Sequence, residues 1–220
     1  MRRVYPDDIA IEIGQPDFAN LIRQFIHDQK HPVSDSNTDT SLVDLPSMFY
    51  GKITIYPSAV STFYAPSDIS GVGGMRKEWI CAVESWRNGP GCYDTVFVNT
   101  NHTAEGMRSL DVVRMRLFFS FSHAGVQYPC TLMCWFSRAG DSPSDNTGMW
   151  VVDKMDTLDN GGESSTTILH LNTIVRAAHL IPVFGCEPMS PTLSFTDTLD
   201  SFTKFYVNKY ADHHSFEIAF

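Results

Sequence analysis

No run in this 220-residue sequence approaches the ~20 consecutive apolar residues that a helix needs to cross a bilayer, so no membrane-spanning helix is expected. The start, Met1-Arg-Arg-Val-Tyr-Pro-Asp-Asp, is basic but has no apolar stretch behind it, and does not read as a secretory leader. Positive charge is scarce: 16 Lys and Arg face 25 Asp and Glu, giving a net charge of -9 and a pI near 5.2. A stand-alone nucleic-acid binder draws most of its affinity from neutralising phosphates and carries a basic stripe. The chain as a whole is repelled by DNA, and only a local basic patch leaves that function open.

Cysteines are few and scattered. Cys81, Cys92, Cys130, Cys134 and Cys186 are odd in number and contain no Cys-x-x-Cys, which argues against a zinc ribbon and against thioredoxin-like chemistry. Reduced thiols in the cytosol or nucleus are expected. Cys130 and Cys134 would stand ~13 Å apart on an extended strand, too far for a disulfide or a shared metal ion, and read as small core residues.

Motifs for catalysis are missing as well. There is no Gly-x-Ser-x-Gly elbow and no cysteine signature with a suitable histidine context. Gly71-Val-Gly-Gly-Met75 lacks the Gly-Lys-Ser/Thr ending of a phosphate loop and reads as a flexible turn. Asp35, Asp39, Asp141, Asp145, Asp156 and Asp159 fall in polar loops, where carboxylates are usually just solvated. His213-His214 beside Asp212 and Glu217 is the densest potential metal cluster. Adjacent histidines rarely both reach one ion, so a polar helix end is the better reading. His170 and His179, in apolar surroundings, read as satisfied core histidines. No catalytic residue, metal site or cofactor is expected.

What the chain does have is apolar and aromatic material: 43% apolar residues, with 15 Phe and 8 Tyr, and only 19% charged residues. That profile is globular and favours strands as core-building elements. Residues 17–30 form the clearest helix, with Phe18, Leu21, Ile22, Phe25 and Ile26 on one stripe, Asp17 as cap and Pro32 as stop. Val33 to Ser47 reads as a mobile loop. Strand candidates follow at Lys52–Tyr56, Ala59–Tyr64 and Tyr93–Asn99.

The strongest signal is central. Val113, Met115, Leu117, Phe119 and Phe121 are all apolar at odd positions, and Val126, Tyr128, Cys130, Leu132, Cys134 and Phe136 at even ones. His123-Ala124-Gly125 joins the two runs, which predicts a hairpin. Pro129 marks an edge or a bulge in its second strand. Further strands are expected at Thr147–Val152, Thr167–Leu171 and Ala178–Phe184, and a helix over Asp197–Tyr210. The pattern is α+β, mainly β: a small antiparallel barrel or rolled sheet with an N-terminal and a C-terminal helix packed outside; the order hairpin, Trp-containing strand, loop and apolar strand resembles SH3- or BAH-like modules in outline. One domain is expected, with residues 1–48 as helix and loop, 49–195 as β-rich core and 196–220 as helix and closing segment.

On the hairpin, Arg114 and Arg116 share a face, Arg108 lies just upstream, and Met133 and Trp135 stand on the outer side of the partner strand. Arginine beside aromatics is a common interface composition. These residues form either a binding surface or a face covered by a helix or loop.

Asp111-Val-Val-Arg-Met-Arg-Leu-Phe-Phe-Ser-Phe, Tyr128-Pro-Cys, Trp135-Phe136, Thr147-Gly-Met-Trp-Val-Val, Arg176-Ala-Ala-His-Leu-Ile-Pro-Val and Phe205-Tyr-Val-Asn-Lys-Tyr-Ala-Asp-His-His-Ser-Phe-Glu-Ile-Ala together carry a family likeness. So do Phe49-Tyr-Gly-Lys-Ile, Ala59-Val, Phe63-Tyr-Ala-Pro-Ser-Asp and Gly74-Met75. From Ile9 onward the chain resembles the C-terminal region of Plavaka-type, CACTA-like DNA transposases of mushroom-forming fungi. The acidic triad of such transposases lies upstream, so the resemblance carries over no catalytic residue. It implies a non-catalytic accessory module in the nucleus, contacting a transposase core or a chromatin protein. DNA binding through the basic patch is the alternative, and an enzyme with a dispersed site is a third.

Overall fold

A computed structural model of the chain describes residues 1–30, 49–68, 71–155, 165–185, 188–189 and 191–220. The predicted loop over Val33–Ser47, Cys186, and Asp35, Asp39, Asp156 and Asp159 lie outside the described residues. In chain order the strands are β1 (Arg2–Val4), β2 (Ile53–Tyr56), β3 (Ser58–Tyr64), β4 (Met75–Val83), β5 (Cys92–Tyr93), β6 (Thr95–Asn99) and β7 (Leu110–His123). They continue with β8 (Val126–Arg138), β9 (Val151–Lys154), β10 (Thr166–His170), β11 (Ile174–Ala177), β12 (Leu180–Pro182) and β13 (Lys204–Val207). The helices are α1 (Pro6–Glu12), α2 (Phe18–Lys30), α3 (Thr198–Ser201) and α4 (His213–Ile218). None is long and apolar enough to cross a membrane.

The architecture is mainly β, with a curled antiparallel half-barrel and a second, smaller sheet. Its spine is the predicted β7–β8 hairpin, turned at Ala124-Gly125, both with positive φ. Along the outer edge of β7, β6 pairs with residues 110–114 and β2 with residues 118–120. Along the outer edge of β8, β10 pairs with residues 130–134 and β9 with residues 136–138. Pro129 sits one residue beyond the β10 ladder, where its missing N–H costs nothing. Leu117 and Leu132 oppose each other and are 5% and 1% exposed.

One feature of β7 corrects the simple odd/even alternation. Its register with β8 shifts between Met115 and Leu117, leaving Arg116 as the extra residue of a bulge. Parity therefore inverts along the strand. Leu110 and Val112 share a face with Leu117, Phe119 and Phe121, whereas Val113 and Met115 share the opposite face with Phe118. Both faces are covered. On one, α1 and α2 pack over Leu117, Phe119, Phe121, Cys130 and Leu132, and the C-terminal elements cover Leu110, Val112 and Phe136. On the other, Ile80 and Ala82 of β4 meet Val113, Met115, Phe118 and Met133.

Helix α2 behaves as its stripe predicts. Phe18, Ile22, Phe25 and Ile26 are buried, with the Phe18 ring edge-on to Phe119 at 5.2 Å. Each such side chain contributes about 1.5–3 kcal/mol of burial. Helix α1 has Pro6 at its start and Asp7 and Asp8 in its first turn, where the macrodipole favours negative charge.

The expected C-terminal helix over Asp197–Tyr210 does not form. A 3-10 turn (Phe195–Asp197) and α3 are followed by β13, antiparallel to both β9 and β12. Leu199, Phe202, Tyr206 and Tyr210 fall at helical spacing. Phe205 and Val207, however, alternate with Tyr206 and are buried in the sheet, so packing overrides the weaker pattern. The helix that closes the chain is α4, whose N-cap is Asp212, its side chain accepting from Ser215 N–H.

Candidate functional site

Strands β3, β4 and β5 form a three-stranded sheet of their own. Directly opposed residues of an antiparallel pair share a face. One face of β3–β4 therefore carries the pairs Tyr64–Met75, Thr62–Lys77, Val60–Trp79 and Ser58–Cys81. The other carries Phe63–Arg76, Ser61–Glu78 and Ala59–Ile80. Packing against the half-barrel turns the second set inward. The polarity is thus inverted over most of the hairpin. Glu78 and Ser61 point into the molecule, while Trp79 (71% exposed), Tyr64 (62%), Val60 and Met75 point out. Lys77 sits among them, exposed, with no ion-pair partner among the described residues.

Ser61 Oγ donates to Val175 O at 2.6 Å, Arg76 pairs with Asp68, and Glu78 joins a part-buried cluster around Arg176. Arg176 of β11 is 4% exposed. Its guanidinium donates to both carboxylate oxygens of Asp212 (2.8 and 2.6 Å) and to Oε1 of Glu78 (2.6 Å). Glu78 Oε2 also accepts from the Ala177 N–H at 3.0 Å. The guanidinium lies 4.7 Å from the Phe63 ring, which stacks on His214 at 4.9 Å. Arg176 thereby ties β4, β3 and the start of α4 to β11. It is a latch that fixes the small sheet and presents its outer face.

The latch also sets protonation states. Arg176 holds the Asp212 carboxyl well below the ordinary range, mainly by hydrogen bonding, against an opposing effect of burial. Arg176 Nη1 lies 3.2 Å from His214 Nδ1, and since a guanidinium only donates, Nδ1 accepts and the imidazole proton sits on Nε2. Burial first, and the neighbouring guanidinium second, pull His214 below its usual value. Burial does the same to His170. A histidine with a lowered folded pKa contributes stability that is full above the unfolded value, about 6.5, and is lost as pH falls through the folded one. The thermal midpoint is expected to drop as pH falls below the unfolded value of about 6.5, less steeply in H214F, which keeps the stack on Phe63. Asp212 contributes nothing to that drop, since its stabilisation is lost only below the ordinary carboxylate pKa of about 3.9.

A second cluster lies on the outer face, at the end of the aromatic stripe. The register places Asp94 opposite Cys81 and Cys92 diagonal to it. One donor atom from each of Cys81, Cys92 and Asp94 lies within 4.8 Å of the others. Cys81 N–H donates to Asp94 Oδ2 at 2.7 Å, and Cys92 Sγ is 3.5 Å from Asp94 Oδ1. Burial, then the Asp94 charge, pushes both thiols up, Cys92 to about 12.

The residues expected to form a binding patch are dispersed. Met133 lies on the side of β8 opposite Leu132, as expected, but that side is not an outer one: β4 of the small sheet covers it, and Met133 is fully buried between the two sheets. Arg114 is 9% exposed and makes a two-pronged ion pair with Asp200 of α3 (2.5 and 3.1 Å). Arg116, half-buried, lies 5.3 Å from the Tyr93 ring, which Arg114 also approaches at 5.9 Å. Arg108 is exposed but elsewhere, beside a cavity of about 540 Å³ with Trp150 and Phe220. Trp135 is half-buried, donates to Thr167 Oγ1 at 3.0 Å and lines a cavity of about 410 Å³ with Phe25 and Asp28 of α2.

The histidine expectations are refined too. His213 and Glu217 are exposed, and Asp212 is engaged by Arg176, so these residues do not converge on one point. His170 is half-buried and His179 exposed, rather than in the core; their Nδ1 atoms meet Asn172 N and Asn208 Nδ2. Asp141 and Asp145 are solvated, as expected. Gly73 and Gly74 have positive φ in the β3–β4 connection, where Gly74 O accepts from Ala65 N–H. No protein-family model, curated protein or solved structure matches this chain.

Proposed function

We propose that this chain is a non-catalytic interaction module, derived from a Plavaka-type fungal DNA transposase and acting in the nucleus, that binds a partner polypeptide across the outer face of its small sheet. The observation that carries this reading is the inverted polarity of β3–β4, which leaves Trp79 and Tyr64 mostly exposed and turns a part-buried carboxylate inward beneath them. Contiguous exposed apolar surface of this kind marks interaction sites, and rule-breaking local patterns concentrate where function requires them. The transposase core or a chromatin protein supplies the partner.

Lys77 selects among occupants. It stands mid-way along the stripe, between the Val60–Trp79 and Tyr64–Met75 pairs. A second copy docking face to face about a two-fold axis there would set lysine against lysine. A partner segment carrying one carboxylate between apolar side chains fits instead: aromatic surface for its apolar groups, an ammonium for its charge.

Peptide display on the full chain tests this. Selected sequences should centre an Asp or Glu between apolar residues. Trp79→Ala should weaken them by about 2 kcal/mol, a hot-spot value, with little change in folding stability. Peptides that bind W79A and Y64A as well as the original chain would contradict the reading.

DNA binding through Arg108, Arg114 and Arg116 is the second reading, favoured only by the exposure of Arg108 and the proximity of Arg114 and Arg116 around Tyr93. Titrating duplex DNA at low and moderate salt separates the two, because phosphate neutralisation gives a steep salt dependence. Given the Arg114–Asp200 pair and the net charge of -9, weak binding is expected at both salt concentrations.

A further inference from the structure

We propose that Cys81, Cys92 and Asp94 form a three-donor site for a thiolate-preferring divalent cation of the zinc class, at the end of the same outer face. Two thiols and a carboxylate are the donor set such ions take, at roughly 2.3 Å for sulfur and 2.0–2.2 Å for oxygen. Those bond lengths imply donor–donor separations of roughly 3.5–3.8 Å around a tetrahedral ion. Cys92 Sγ and Asp94 Oδ1 already stand at 3.5 Å, and all three donors lie within 4.8 Å. Small side-chain rotations close the rest.

The surroundings look built for the purpose. Asp94 Oδ2 is held by the Cys81 N–H, which fixes the carboxylate and leaves Oδ1 aimed at Cys92. Such outer-shell hydrogen bonds orient ligands in metal sites generally. Cys81 is buried while Cys92 and Asp94 are half-buried, so the ion has an entry path. The β4–β5 connection is shaped tightly: Arg87 and Asn88 take positive φ, and a Cβ on Gly91 would lie 3.1 Å from Glu84 O. Binding replaces two S–H protons, released to water, by two bonds to the cation. Water supplies the fourth ligand in the isolated chain.

A disulfide is the competing use of the pair, and the register disfavours it. Cys92 faces Val83 and Cys81 faces Asp94, so the two cysteines are diagonal neighbours. Diagonal positions are ~7–8 Å apart at the backbone, whereas a disulfide wants Cα atoms ~4.4–6.8 Å apart.

Cobalt(II) titration of the reduced full chain, read by absorption, tests the site. The expected result is one cobalt per chain with thiolate charge-transfer and tetrahedral ligand-field bands, both displaced by zinc. Cys92→Ser should lose the thiolate bands and weaken zinc at least roughly 100-fold. Cys134→Ser should leave both unchanged, with folding of each variant checked by circular dichroism. If C92S does not fold, alkylation mapping of the original chain decides: zinc should shield Cys81 and Cys92 and leave Cys134 unaffected. Absence of thiolate bands in the original chain, their survival in folded C92S, a Cys81–Cys92 disulfide that resists reductant, or no shielding by zinc would each overturn the proposal.

Discussion

Replacing Arg176 with alanine is expected to lower folding stability by about 3 kcal/mol, because removing one partner of a buried ion cluster leaves the others uncompensated. Arg176 pairs with both the Glu78 and the Asp212 carboxylates in the latch, and its side chain is 5% exposed. The two carboxylates keep some solvent contact, 21% and 35%, which places the loss at the low end of the ~3–5 kcal/mol range for such deletions. Phe63 would also lose the cation over its ring. Urea unfolding should show a lower midpoint with an unchanged slope. Neutralising the carboxylates as well, in R176M/E78Q/D212N, should recover much of the loss. A loss under about 1 kcal/mol for R176A, the size of an exposed pair, would mean the latch holds nothing.

Inserting one alanine between Phe118 and Phe119 is expected to have a larger effect still, abolishing the cooperative unfolding transition. Arg116 is the bulge residue that lets Val113 and Met115 face the small sheet while Leu117, Phe119 and Phe121 face α1 and α2. Deleting it would restore plain alternation with every face kept, whereas a residue added within the Phe118–Phe121 run makes the side chains on one side of it turn to the opposite face. Each misplaced Phe or Leu forfeits about 1.5–3 kcal/mol of burial, and three of them consume most of a typical net stability of about 5–15 kcal/mol. Arg116→Ala keeps the backbone count and should cost no more than about 1 kcal/mol, that of its contact with Tyr93. Calorimetry distinguishes the two variants, and an insertion variant with the original midpoint would contradict the assigned register.

The same bulge explains what was and was not legible in the sequence. The hairpin and α2 were, because each repeats its apolar period over several turns or pairs with no competing pattern. Val113 and Met115 were read on the face of Leu117 because a bulge adds one residue without leaving a composition signal, and Met133 was read as outward because nothing local announces that β4 covers its side of β8. Strand β4 escaped notice for a physical reason that matters more. Its clearest alternation, Met75, Lys77 and Trp79 against Arg76 and Glu78, puts its charges on both faces and its largest apolar groups outward. A pattern that turns its largest apolar groups outward looks, locally, like no strand at all. The latch and the thiol cluster were illegible because pairing creates them: Arg176 reaches Glu78 98 residues away, and Cys81 meets Cys92 only once β4 and β5 fold together. The aromatic run around Phe205 carried two periods at once, and the sheet won because it buried Phe205 and Val207.

A charge exchange across the outer face tests the recognition role most directly. Calorimetric titration of the original chain and of Lys77→Glu, each with a selected acidic peptide and its lysine-swapped counterpart, gives four affinities. Lys77→Glu should weaken the acidic peptide at least tenfold and bind the lysine-swapped one more tightly than the original chain does. Equal affinities in all four combinations would place binding away from the β3–β4 face and remove the basis for the assignment.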